Sequence, residues 1–121
     1  MSIPYTKVDN PPGAEYDSTF RRQWVLGVND DGDPVALPRH ADRSVQITGS
    51  FGGATLKIEG SLDGTNFAPL TDPQGNALSF TSYPAGYSTV IEAVAEAVVA
   101  VRPIVSGGTA TSLTVTMFCR S

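Results

Sequence analysis

From Arg43 to Phe51, RSVQITGSF, apolar Val45 and Ile47 alternate with polar Gln46 and Thr48. A period of two puts one set on each face of a strand, so this segment is predicted to be half-buried β-structure. After Gly52-Gly53 the alternation resumes in ATLKIEG, with Leu56 and Ile58 inward and Thr55, Lys57 and Glu59 outward. Two alternating runs around a Gly-Gly turn predict a hairpin. The clearest alternation is in TSLTVTMFCR, Thr111 to Arg120. Leu113, Val115, Met117 and Cys119 fall on one side there, Thr114 and Thr116 on the other.

The remaining runs are shorter. Phe20 to Val28, FRRQWVLGV, alternates imperfectly and reads as a strand. NDDGDP follows as a turn by composition, and Val35 to Leu37 is expected to return as the second strand of a hairpin. Phe67 to Leu70 is a short strand in which Pro69 lacks a ladder donor, which points to an edge or a bulge. Asp72 to Asn76 turns, and Ala77 to Thr81 puts Leu78 and Phe80 on one face. Tyr87 to Val101 is ambiguous, because its Ala and Glu favour helix. The expectation there is a loop or short helical turn near Ile91 to Ala95, then a strand from Val98 to Val105. The corners GG, DG, QGN and GG separate about eight short strands. That pattern predicts an all-β domain, a β-sandwich of jelly-roll-like build. Asp63-Gly64, inside GSLDGTNF, reads as one of these corners: Gly tolerates positive φ and Asp can bond its own backbone.

Residues 1–19 differ from this pattern. Pro4, Pro11, Pro12 and Gly13 exclude regular helix, yet Ile3, Tyr5, Val8 and Tyr16 supply apolar surface that a linker does not need. The segment reads as an extended N-terminal arm, or else a frayed terminus. Residues 20–121 form the sandwich domain. A chain of 121 residues suits one such domain and can bury a core without disulfides.

Charge and chemistry narrow the function. With 12 acidic and 8 basic residues the net charge is −4, which disfavours nucleic-acid binding. No apolar run approaches the roughly 20 residues of a membrane span. The start MSIPYTK lacks a signal-peptide pattern, so folding in a reducing cytoplasm is expected. Asn29, Asp31 and Asp33 have the spacing of a calcium loop, but Pro34 and His40 stand where Gly and Glu are required. His40 has no nucleophile or carboxylate implied beside it. Cys119 alternates with core positions, GSFGG lacks the Lys-Ser/Thr of a phosphate loop, and no zinc spacing occurs. No catalytic, cofactor or metal site is expected. Trp24, Tyr83 and Tyr87 are candidates for a sugar-stacking platform on a carbohydrate- or cell-surface-binding module, with core or corner packing as the alternative.

The ordered series from SVQITGSFGGATLKIEGSLDGTNFAPLTDPQGNALSF to VRPIVSGGTATSLTVTMFCR resembles capsid decoration, or cement, proteins of podovirus-like tailed bacteriophages. The likeness spans residues 43 to 120. It rests on the strand-GGAT-strand unit, the GS-x-DG-x-N-aromatic turn, DPQGN-A-L, and R-P-x-V-x-GG before a Thr-rich strand. Phe67 stands where similar sequences often carry Trp. The resemblance implies a non-enzymatic virion protein on the outer surface of an assembled head. Its partners would be the major capsid protein and further copies of itself, as homodimer or homotrimer. In that setting Ile3, Tyr5, Val8, Tyr16 and Phe20 are the residues expected to latch onto a neighbour.

Overall fold

The computed structural model describes residues 2–8, 19–36 and 42–120, with Thr19 and Phe20 placed by their backbone. Among the described residues there is no helix, and the strands build two packed sheets. The protein is an all-β sandwich. In spatial order the main path of the seven-stranded sheet is β1 (Ser2–Ile3), β4 (Asp31–Gly32), β11 (Ala100–Ser106), β7 (Thr55–Ser61) and β8 (Ala68–Pro69). On the same sheet β5 (Val35–Ala36) pairs with β11, and β9 (Ser79–Phe80) pairs with β7. The five-stranded sheet runs β10 (Thr89–Ala93), β6 (Asp42–Ser50), β12 (Ser112–Arg120), β3 (Thr19–Leu26) and β2 (Thr6–Val8).

The alternation in the sequence sets what lies between the sheets. Leu113, Val115, Met117 and Cys119 point inward from β12, Val45 and Ile47 from β6, Trp24 and Leu26 from β3. They meet Leu56 and Ile58 of β7 and Val101 and Val105 of β11 in one core. Each fully buried Val, Leu or Ile stabilises the fold by about 1.5–3 kcal/mol relative to exposure.

The strands form largely where the sequence places them, but they are not partnered as it suggests. β6 and β7 are not a hairpin. β6 pairs with β10 and β12, whereas β7 pairs with β11, β8 and β9. The Gly52-Gly53 corner, with φ of 57° and 85°, carries the chain from one sheet to the other. The corner is pinned by bonds to the Phe51 carbonyl, from the Ala54 amide at 2.9 Å and the Thr111 hydroxyl at 2.8 Å. Crossing here places Val45 and Ile47 across the core from Leu56 and Ile58, which buries both sets against each other.

A second expected hairpin is also absent. β3 lies in the five-stranded sheet between β12 and β2, while Val35 pairs with Val101 in the other sheet. Leu37, the last residue of the expected return strand, lies outside the described residues. Ile91 to Ala95 is not a helical turn. Ile91 to Ala93 belong to β10, in register with Ser44 to Gln46. The segment from Val94 to Val99 then crosses to the other sheet, held by bonds rather than by helix. Val94 donates to the Arg43 carbonyl, Ala95 to the Thr71 carbonyl, and the buried Arg43 guanidinium caps the Glu96 carbonyl at 3.1 Å.

The described part of the expected arm is woven into the body. β1 runs parallel to β4 on one sheet and β2 antiparallel to β3 on the other, so Ser2–Val8 close both sheets along one side. Bare strand edges carry unpaired peptide groups, and these short strands satisfy them.

Candidate functional site

The acidic residues in turns are consumed by their own loops. Asp63 Oδ1 accepts bonds from the Thr65 and Asn66 amides, both at 2.8 Å, and from the Ser61 hydroxyl at 2.8 Å. Its Oδ2 accepts from the Asn66 side chain. Asp72 is bonded in the same way by the Gln74 and Asn76 amides. These bonds hold both carboxyls below the usual carboxylate range, led by the Asn66 amide for Asp63 and the Asn76 amide for Asp72. Glu96 is lowered too; burial opposes ionisation there, but the Thr71 hydroxyl and amide outweigh it. DG and DPQGN are therefore corners, built by side-chain-to-backbone bonding.

Depressed carboxyl pKa values set the sign of an acid effect. Their stabilisation is complete above the unfolded-state values, about 3.9 for Asp and 4.3 for Glu, and is lost as pH falls through the folded-state values. The thermal midpoint should stay level from pH 7 to about pH 5 and drop below about pH 4. An Asp63→Asn variant should show a shallower drop. Calorimetry across that range checks it, and an acid limb unchanged by the substitution would refute the role of Asp63.

The other candidates for chemistry are spent internally as well. Asn29 Oδ1 accepts the Gly107 amide at 2.7 Å, tying two loops together. Among the described residues no three His, Cys, Asp or Glu converge as a metal site. Cys119 is fully buried, and burial pushes its thiol up to about 11 despite the nearby Arg43 and Arg22. His40 lies outside the described residues. Trp24 is 1 % exposed and donates its Nε1–H to the Asp33 carbonyl, so it offers no stacking platform. Tyr83 packs on Phe51 with ring centroids 4.9 Å apart and donates to the Gly49 carbonyl, while Tyr87 stands exposed by itself.

What remains is the contrast between the two outer faces. On the seven-stranded sheet the outward row carries Lys57, Glu59 and Arg102. Arg102 pairs with Glu59 at 3.0 Å, and its guanidinium lies 4.0 Å from the centre of the Phe67 ring. That face is charged and partly roofed. The five-stranded sheet presents Gln23, Gln46, Thr48, Thr114 and Thr116 across its middle, with exposed Val25, Ile91 and Phe118 around them. Cross-strand bonding adds order, as Gln23 Nε2 donates to Thr116 Oγ1 at 3.0 Å. The Asp42–Arg120 pair sits at one end. A shallow depression of about 410 Å³ runs over this face, with Gln23, Gln46 and Thr116 in it and Val8, Ile91 and Phe118 beside them. Arg21 also lines it, and its Nε is buried without a hydrogen-bond acceptor among the described residues.

Among the described residues expected to touch a partner, only Val8 reaches this depression. Ile3 packs against the core, and its carbonyl accepts the Asp33 amide. Tyr5 sits edge-on to Trp24 at 6.2 Å. Phe20 is placed by its backbone opposite Cys119, and Tyr16 lies outside the described residues. Gln23, Gln46, Thr116, Ile91 and Phe118 were missed. Their signal was present in part: the outward positions of β6 and β12 carry amides and hydroxyls where a solvated strand usually carries Lys or Glu.

No protein-family model matches the chain, and a search of curated proteins finds no match. Among the described residues no helix is long and apolar enough to cross a membrane.

Proposed function

We propose that this protein is a structural decoration protein. It binds the outer surface of an assembled phage head, bridges neighbouring copies of the major capsid protein, and so resides on the virion. The observation that carries the reading is the outer face of the five-stranded sheet, whose middle is built of Gln and Thr rather than charged residues. Interface centres are depleted in charge and enriched in large apolar side chains. A face of Gln and Thr rimmed by Val25, Ile91 and Phe118 can be desolvated with Arg21 as the one charged side chain in the depression to be matched. The Arg21 guanidinium in the depression calls for a carbonyl or carboxylate on the partner. The likeness of residues 43–120 to cement proteins names the partner class.

The mechanism is linkage. A protein that binds the expanded shell and not its precursor stabilises the expanded state by its binding free energy. Contacts to two capsomers at once add avidity that neither contact has alone.

The test is co-sedimentation with expanded heads lacking the protein. The wild type should pellet with them, and Thr116→Lys should weaken attachment at least about tenfold, since it buries a second cation in the depression that already holds Arg21. The variant should fold normally, because Thr116 points away from the core. Failure of the wild type to bind any head form overturns the reading.

A further inference from the structure

β10 borders the five-stranded sheet: it pairs with β6, and no described strand lies on its other side. Its bonding pattern identifies which peptide groups are left over. Val94 donates to the Arg43 carbonyl at 3.0 Å, in register with the ladder that pairs Ala93 with Ser44. Bonded and non-bonded pairs alternate in an antiparallel ladder. Glu92·Val45 and Val90·Ile47 are therefore the bonded pairs, and Thr89, Ile91 and Ala93 direct their N–H and C=O groups away from β6. At the next outward position the row is closed, since Ala95 donates to the Thr71 carbonyl at 2.9 Å.

The other borders carry features that discourage pairing. β8 and β9 are two residues each, and β8 contains Pro69. β1 is two residues long and runs into Pro4, and β2 carries Lys7. Short length, Pro and Lys are the usual means of blunting an edge. β10 has five residues, neither Pro nor Lys, and Ile91 at its centre 62 % exposed.

We propose that β10 pairs antiparallel with β10 of a second copy of this chain, about a two-fold axis at Ile91. The register follows from the strand itself. Outward-directed residues must meet outward-directed residues, so the axis can pass through Val90, Ile91 or Glu92. An axis at Glu92 opposes two like charges. An axis at Val90 leaves Ala93 beyond the strand pairing, opposite the residue 87 position. Only the axis at Ile91 uses Thr89, Ile91 and Ala93 together, forming about six main-chain bonds. It sets Val90 against Glu92 of the second copy and the small Thr89 against Ala93 of the second copy. The two Ile91 side chains meet on the outer face, where the two depressions then lie side by side on one continuous sheet. The pairing is isologous, so it closes as a dimer and does not propagate. It holds whatever that outer face docks against.

Sedimentation velocity of the full chain and a cross-link test it together. The wild type should sediment at twice the 12.7 kDa chain mass. Ile91→Lys should sediment at the single mass and remain folded, because the side chain does not reach the core, with a thermal midpoint lowered only by the stabilisation that the dimer supplied. Facing residues of a bonded antiparallel pair lie about 5.5 Å apart between Cα atoms, inside the disulfide range of roughly 4.4–6.8 Å. Ile91→Cys should therefore form a disulfide-linked dimer under mild oxidation, with Cys119 buried and not competing. Val25→Cys, exposed on the same face, should not. A wild type that is monomeric or trimeric, an Ile91→Lys protein that remains dimeric, or no cross-link at position 91 overturns the proposal. A dimer that binds no head form would refute the decoration role alone.

Discussion

Replacing Trp24 by alanine is expected to lower the unfolding free energy by about 3–5 kcal/mol, the range for deleting a large buried aromatic. The side chain is 1 % exposed and occupies the centre of the core beside Leu26. Its surroundings cannot collapse easily into the space. Gly32 lies so close that a Cβ there would stand 2.9 Å from Trp24 Cδ1 and 2.6 Å from the Pro103 ring. The substitution also strands the Asp33 carbonyl that accepts the indole N–H at 3.0 Å. Against a total stability of roughly 5–15 kcal/mol for a domain, this loss threatens the fold itself. Trp24→Phe keeps most of the packing and loses the bond, so about 1–2 kcal/mol is expected. Urea titration followed by circular dichroism is the measurement, because the variants remove the only Trp fluorophore. A Trp24→Ala loss under about 1 kcal/mol would contradict the core position.

The second large effect is a backbone one. Gly49 sits in β6 with φ of 108°, opposite Leu113 of β12. A Cβ at that position would lie 2.1 Å from the Ser112 carbonyl oxygen. The oxygen belongs to the central strand of the sheet and cannot step aside without opening the β6–β12 ladder. Gly49→Ala should cost about 3 kcal/mol or more, combining conformational strain of about 1–3 kcal/mol with the clash. Gly53→Ala separates the two terms. Its φ is 85°, but a Cβ there meets nothing within 4 Å, so only the strain remains. Equal losses in the two variants would mean the clash is relieved at no cost.

The inward residues were legible because burial on one face leaves a period of two, and Leu113 to Cys119, Val45, Ile47, Leu56 and Ile58 all obeyed it. Alternation reports which side of a strand meets the core. It does not report which sheet the strand joins, so the corner at Gly52-Gly53 looked the same as a hairpin turn. β10 was obscured by the Ala and Glu of its surroundings, which favour helix by margins that tertiary context readily overrides. β-branched Val90 and Ile91, and the bonds that Arg43 and Thr71 offer the following backbone, overrode that preference. The Gln and Thr face was legible only in fragments. Gln23, Gln46 and Thr116 come from three distant segments, and their shared neutrality becomes a surface property once β3, β6 and β12 lie side by side.

β12 also governs the order of events in folding. Among the described strands it comes latest in chain order, yet it occupies the middle of its sheet, between β6 and β3. Until Ser112–Arg120 leave the ribosome, β3 and β6 have no strand to join them, and Val45, Ile47 and Trp24 lack half of their enclosure. Contacts between distant segments make folding slow, and the waiting chain exposes apolar strands to its neighbours. Assembly of this sheet is thus timed by the arrival of β12, and the nascent chain is most prone to aggregation just before that point.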